Sequence, residues 1–475
     1  MQWIPYGSAP RAPRVHFIGI GGTAMVAGAR LALEAGWEVR GSDVDLYPPA
    51  SDMVKALHVS VAPGFAAENL EWAPDIVIIG NALSRGNAEV EAVLERGLHY
   101  TSLPEWLKDT ILRRRKPIVI AGTHGKTTTT ALTAFLLEEA GAYPGFLIGG
   151  QPLDFEHSAR LGREDGPFVV EGDEYDTAFF DKRAKFFHYL PHTAVVTSVE
   201  FDHGDIYRDI EEIELAFQRM LRQIPRSGHL IVCSDSPRAL ALAGHAFCPV
   251  STYGFGAEAD WRIELARQEG PLAHFTLHHL GMLWGHFMSP LAGRHNLQNV
   301  AAAIAVAAST GASPSTIADA LPSFRGIKRR MEVFHESGGI IFVDDFAHHP
   351  TAMRETIAAA RLRWPHQRLI VLFEPRSNTT VTNRFQGEII DALAVADEVW
   401  LGPIHRAEKI PAESRLDREA ICVALDERNV IAHYAEGANE IVGKLRGSVT
   451  GDSVVLVLSN GAFGGIYELL RRAFP

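Results

Sequence analysis

The residues Gly122-Thr123-His124-Gly125-Lys126-Thr127-Thr128 have the types that hold a nucleotide's phosphates. Phosphate oxygens need backbone N–H donors at close range, an ammonium group, and a hydroxyl that can stand beside Mg²⁺. Gly122 and Gly125 permit the close approach, Lys126 supplies the ammonium and Thr127 the hydroxyl. The usual loop carries a further glycine where Ile120 stands, so this one is a shortened variant. Carboxylates follow at two places, Glu171-Gly172-Asp173-Glu174-Tyr175-Asp176 and Glu200-Phe201-Asp202-His203-Gly204-Asp205, each after an apolar run. Hard cations take oxygen ligands and bridge phosphates. The expected metal ligands are therefore Thr127, Glu171 and His203, and the expected catalytic set is Lys126, Glu171 and His203. Glu174 and Asp205 read equally well as solvated loop residues.

A second glycine-rich turn precedes these. Gly19-Ile20-Gly21-Gly22-Thr23-Ala24 follows the apolar run Val15 to Ile18, with Asp43 about 20 residues beyond. This is the dinucleotide fingerprint in its G-x-G-x-x-A form, and taken alone it favours NAD.

The elements that must position these groups alternate in period. Short apolar runs (Ile76 to Ile79, Ile118 to Ala121, Phe168 to Val170, Ala194 to Val196, Ile340 to Val343, Leu369 to Phe373, Val399 to Leu401, Val454 to Leu458) are interleaved with amphipathic helical stretches. Polar residues gather just after the runs, as in an open α/β sheet with its ligands at the carboxyl ends of strands. The segment from Trp261 to Met288 alternates across Glu269-Gly270 and reads as a β-hairpin. Asn296 and Asn299 stand at a helix start, where one can cap and the other is free to read a base. Arg113 to Lys116 reads as a solvated surface linker.

Length and composition narrow the function. The 475 residues suffice for two to four domains, with expected boundaries at 1–112, 113–322 and 323–475. A net charge of −12 argues against sequence-independent nucleic-acid binding. Cys233, Cys248 and Cys422 are too scattered for a disulfide framework, which makes a reducing cytoplasm the default. No signal-peptide core is expected in Met1 to Arg14, and nothing later reaches the ~18 apolar residues of a membrane span.

Taken together, Gly122 to Thr128, Glu171 to Asp176, Glu200 to His203, His295-Asn296-Leu297-Gln298-Asn299 and Asp345-Phe346-Ala347-His348-His349-Pro350 resemble the Mur ligase family, in the family's order. The resemblance implies an α/β protein of three domains: a Rossmann-like N-terminal domain, a central P-loop ATPase domain with a parallel sheet, and a Rossmann-like C-terminal domain. It overrules NAD. By resemblance, Gly19, Gly21, Gly22, Thr23, Ser42, Asp43 and Asn81 serve UDP-N-acetylmuramate. ATP and Mg²⁺ fall to Gly122, Thr123, His124, Gly125, Lys126, Thr127 and Thr128, with Asn296 and Asn299 near adenine, Arg330 near the phosphates and Asp345 near the ribose. His348, Arg376 and Asn378 are expected at the peptide.

Finer features separate branches of the family. Glu171 to Phe187, His157 to Gly162 and Glu374 to Thr379 look like the branch that adds the intact tripeptide L-alanyl-γ-D-glutamyl-meso-diaminopimelate, and Arg376 with Asn378 suits a ligand with several carboxylates. The Asp181-Lys182-Arg183 run reads equally as a solvated turn. An L-alanine-adding enzyme is the nearer alternative, and a non-catalytic nucleotide sensor is the alternative from another class. Several relatives carry a carbamylated lysine where Phe217 and Gln218 stand, so Asp173 or Glu174 is expected to hold any second metal ion.

Overall fold

A computed structural model describes residues 11–475 other than 45, 47–49, 203 and 205. His203 and Asp205 therefore lie outside the described residues. The chain forms two compact units, Met1–Val199 with Ile213–Thr252 and Ala302–Ser313, and Glu200–Glu212 with Tyr253–Ala301 and Pro314–Pro475.

The first unit contains two sheets. In one, the strands lie in the order Ser60–Pro63, Glu38–Asp43, Arg14–Ile18, Ile76–Ile79, Tyr100–Thr101, all parallel. The strand Ile76–Ile79 is buried along its whole length, as a parallel strand covered on both faces must be. Pairing of Ile18 with both Ser42 and Ile79 brings the turns after these strands to one carboxyl edge. The helix Thr23–Glu34 begins there, at Gly22.

Six successive strands of the other sheet lie in the order His229–Cys233, Thr193–Val196, Pro117–Ala121, Phe168–Gly172, Gly145–Leu147, Ala159–Arg160, and among them only the last pair is antiparallel. Pro117–Ala121 sits between Thr193–Val196 and Phe168–Gly172, with Ala121 opposite both Val196 and Gly172. That register places the phosphate loop between the two following loops. Arg115 corrects the reading of its run as solvated. Its guanidinium lies 5.5 Å from the Phe168 ring and donates to the Leu161 carbonyl at 2.5 Å.

A two-stranded ribbon, Asp176–Ala178 with Asp181–Ala184, leaves this second sheet. Its tip, Phe179-Phe180, packs on the cluster of Ile18, Val77, Val90 and Val93 beneath the first sheet. The Phe180 ring stands edge-on to Tyr100 at 5.0 Å.

In the second unit, Trp261–Glu269, Leu272–His279 and Met282–Ser289 form an antiparallel meander. The expected hairpin thus has a third strand. The second turn, at Leu280-Gly281, puts both residues at positive φ within an alternating stretch and gives little contrast in composition. The remaining sheet has the order Glu332–Ser337, Ile340–Asp345, Ser453–Leu458, Arg368–Phe373, Glu398–Leu401, Ile431–Tyr434, antiparallel only at its first pair. Among the described residues, no helix is long and apolar enough to cross a membrane.

Candidate active site

The phosphate loop is braced from behind by the loop after Thr193–Val196. Ser198 takes the Thr123 N–H on its carbonyl at 2.9 Å and the His124 N–H on its hydroxyl at 3.0 Å. Thr197 donates its hydroxyl to the Ala121 carbonyl at 3.2 Å and also to the His124 carbonyl. A Cβ on Gly122 would meet Thr197 Oγ1 at 2.1 Å, and Gly122 has φ +131, so only glycine fits. Gly125 precedes the helix Lys126–Glu139 in the left-handed region, at φ 79.

Lys126 points back over this loop. Its Nζ donates to the Gly122 carbonyl at 2.6 Å, the Thr123 carbonyl at 3.3 Å and Glu174 Oε2 at 2.7 Å. Burial alone would lower its pKa, but the charges of Glu174, Asp173 and Glu171 outweigh that and raise it. Asp173 is paired with Lys185, Nζ to Oδ2 at 2.7 Å. Burial pushes its carboxyl up, and the two lysines more than offset this, so the net shift is downward. Both carboxylates named for a second metal ion thus already have cationic partners.

Glu171 lies at the end of Phe168–Gly172. Its Oε1 accepts from the Thr127 hydroxyl at 2.9 Å and its Oε2 from the Gly149 N–H at 2.8 Å. Burial is the main cause of its raised pKa. A carboxylate that is costly to ionise beside a hydroxyl oxygen is the donor chemistry a hard divalent cation suits, since the cation's charge offsets the burial. The glycine cradle and this oxygen pair fit a Mg²⁺-nucleotide. Thr128 is buried in the helix's first turn. Phe217 is fully buried with its ring 5.3 Å from Phe186.

Around the first glycine turn, Asp43 accepts from backbone N–H groups on both carboxylate oxygens. Its Oδ2 accepts from the Gly21 N–H at 2.6 Å and its Oδ1 from the Val44 N–H at 2.7 Å. Ser42 acts through its backbone: its carbonyl accepts from Gly19 and Ile20 at 2.9 and 3.2 Å, while its side chain is wholly buried. Gly22 and Thr23 are exposed at the helix start. Asn81 Nδ2 donates to Asp176 Oδ1 at 3.4 Å, linking this turn's edge to the ribbon.

The helix Arg294–Ser309 already includes Asn296 and Asn299, so neither takes the capping position before it. Asn296 Nδ2 donates to the Ala292 carbonyl at 2.8 Å and Asn299 Nδ2 to Asn296 Oδ1 at 3.3 Å. Asp345 is an anchor: Oδ2 accepts from the Met331 N–H at 2.9 Å, and Oδ1 from the Ala347 N–H at 2.8 Å and the Thr356 hydroxyl at 3.3 Å. Arg329 holds the same loop by donating to Asp344 Oδ2 at 3.1 Å and to the Ser459 and Gly461 carbonyls at 2.6 and 3.0 Å. The neighbouring Arg330 guanidinium lies over Phe346, 5.2 Å from the ring centre.

The three residues named for the peptide sit on two adjoining loops. Ser377 donates its hydroxyl to the His348 carbonyl at 3.0 Å and so ties them together. Arg376 lies beside Glu374 and His405, at 3.4 and 3.3 Å, and a Cβ on Gly461 would meet its Nε at 2.2 Å. Asn378 is exposed in the turn that follows. Sequence reading missed Gly149, Lys185, Thr197 and Ser198; a glycine pair at Gly149-Gly150 was the one visible signal.

Three family matches run along the chain in order: the Mur ligase family catalytic domain over residues 14–115, the Mur ligase middle domain over 120–307, and the Mur ligase glutamate ligase domain over 329–461. The chain belongs to the Mur ligase family and is a ligase. It is 40% identical over 459 residues, 96% of this chain and 97% of the relative, to the Escherichia coli K12 UDP-N-acetylmuramate–L-alanyl-γ-D-glutamyl-meso-2,6-diaminoheptandioate ligase. The crystal structure of a murein peptide ligase from Psychrobacter arcticus superposes with a TM-score of 0.72 at 34% identity, covering 98% of this chain and 99% of that one. A Roseiflexus UDP-N-acetylmuramate–L-alanine ligase is 35% identical, over 96% of this chain and 98% of its own.

Proposed function

We propose that the chain joins L-alanyl-γ-D-glutamyl-meso-diaminopimelate to UDP-N-acetylmuramate at the expense of ATP, as a recycling step for cell-wall peptide in the cytoplasm. A lactyl carboxylate oxygen attacks the γ-phosphorus of ATP and ADP leaves, giving an acyl phosphate. The peptide's amine then attacks the acyl carbon, phosphate leaves, and the amine proton is lost. Catalysis of this kind rests on positioning and charge neutralisation.

The division of labour follows the three ranges 1–112, 113–322 and 323–475, for the UDP-sugar, ATP and the peptide. Lys126 and the N–H groups of Gly125 to Thr128 hold the phosphates, on a loop that Gly122, Thr123 and His124 shape through their contacts with Thr197 and Ser198. Thr127 and Glu171 hold Mg²⁺, with His203 assigned by resemblance, and the metal supplies neutralisation of developing phosphate charge. Gly19, Gly21, Gly22, Thr23 and Asn81 line the UDP-sugar site; Asp43 and Ser42 shape its turn. The roles given to Asn296, Asn299, Arg330 and Asp345 toward the nucleotide belong to the same reading.

The observation that carries the choice of peptide is the 40% identity to the Escherichia coli ligase named for the tripeptide, against 35% to the ligase named for L-alanine. The Arg376 guanidinium, held over Gly461 next to the His348 loop, suits a carboxylate of the incoming peptide. The test is phosphate release with ATP, Mg²⁺ and UDP-N-acetylmuramate, with the tripeptide or L-alanine as amine. Release with the tripeptide is expected; release with L-alanine alone defeats the proposal.

A further inference from the structure

Lys126 has three acceptors within the chain. Its ammonium is held by the Gly122 and Thr123 carbonyls and, at 2.7 Å, by Glu174 Oε2. Glu174 is 2% exposed. Its neighbour Asp173 makes its direct ion pair with Lys185 instead, at 2.7 Å. The two ion pairs, Lys126 with Glu174 and Lys185 with Asp173, thus lie side by side at the loop.

We propose that Glu174 is a resident counter-anion for the phosphate-loop lysine, a positioning residue that holds Lys126 in place in the empty enzyme and gives it up to the incoming phosphates. The proposal rests on the nucleotide reading of this loop. Two consequences follow from the charges. Phosphate must displace Glu174 from Lys126, so nucleotide binds weakly when no divalent cation is present. A cation that accompanies the nucleotide offsets the released carboxylate, so metal strengthens binding through Glu174 as well as through the phosphates. The Glu174→Gln change removes the charge but keeps an oxygen that can accept from Lys126, and the Gly122 and Thr123 carbonyls continue to hold the ammonium.

The experiment is calorimetric titration of the full chain with ADP, in EDTA and in Mg²⁺, for wild type, Glu174→Gln, Glu174→Asp and Lys126→Ala. In EDTA, Glu174→Gln is expected to bind ADP about tenfold more tightly than wild type, and Mg²⁺ to improve its affinity by a smaller factor. ADP binding in EDTA no tighter than wild type, at an unchanged thermal midpoint, overturns the proposal. If Glu174→Gln does not fold, Glu174→Asp decides in its place: its shorter side chain slackens the pair, so its affinity in EDTA must rise, and no rise overturns the proposal. Equal ADP affinity in wild type and Lys126→Ala with Mg²⁺ present is a separate result. It removes the nucleotide reading and the proposal with it.

Discussion

Thr127 donates its hydroxyl to Glu171 at 2.9 Å, across the gap between the first turn of one helix and the end of the neighbouring strand. The two residues are far apart in sequence, and the parallel register of Pro117–Ala121 with Phe168–Gly172 is what brings them level. Their oxygens, with the Gly149 N–H behind, make the anionic half of the site; Lys126 makes the cationic half.

Removal of the cationic half is expected to stop the reaction. Lys126→Ala takes away the ammonium proposed to meet the phosphates, at an expected cost of roughly 10²–10³ in turnover or more. Phosphate release under saturating substrates reads it, and a rate near that of wild type would refute the assignment.

Gly149 is a test of the anionic half. A Cβ there would meet Glu171 Oε2 at 2.5 Å, so Gly149→Ala must turn the carboxylate away from Thr127. The Mg²⁺ concentration for half-maximal turnover should rise about tenfold, which corresponds to ~1.4 kcal/mol of binding. ADP affinity in EDTA should be unchanged. An unaltered Mg²⁺ dependence would dissociate Glu171 from the metal.

On the peptide side, Gly461→Ala forces Arg376 out of its seat, because the added Cβ would lie 2.2 Å from its Nε. The KM for tripeptide is expected to rise about tenfold, with the KM for ATP unaffected. Steady-state kinetics with each substrate varied in turn separate the two, and a rise confined to ATP would place Arg376 elsewhere in the reaction.

Stability should carry a signature of Asp344. Burial, only partly opposed by Arg329 and the Tyr467 hydroxyl, pushes this carboxyl up to about 6 from 3.8. Between those values the folded chain keeps a proton that the unfolded chain has released. The contribution is therefore full below about pH 4 and is lost as pH rises through 6, by roughly 2–3 kcal/mol. Thermal midpoints from pH 4 to 7 should fall in wild type relative to Asp344→Asn; parallel profiles would show that Asp344 titrates normally.

The sequence exposed the parallel strands because strands buried on both faces are written as unbroken apolar runs, as in Ile76–Ile79 and Ser453–Leu458. Edge strands are not written that way. Glu332–Ser337 is polar along much of its length, and Ile431–Tyr434 has mostly exposed residues. The glycine turn between Pro117–Ala121 and the helix Lys126–Glu139 was legible from residue types alone, whereas Ser198 and Lys185 enter through contacts that register and loop path create. Asp43 and Asp345 show the intermediate case. Their positions stood out in the sequence, but backbone N–H groups of their own neighbourhoods hold both carboxylates, and no spacing rule contains that information.

The ribbon tip Phe179-Phe180 governs how this protein can be taken apart. A fragment ending at residue 112 would strip these rings from Tyr100 and from the cluster of Ile18, Val77, Val90 and Val93, and leave an apolar patch facing water. Such a fragment is a poor candidate for isolated expression, while one extended through the Asp181–Ala184 strand and the Thr193–Val196 sheet keeps its own cover. In evolutionary terms, the first sheet cannot be exchanged for another without a matching change in two phenylalanines that belong to a different stretch of the gene.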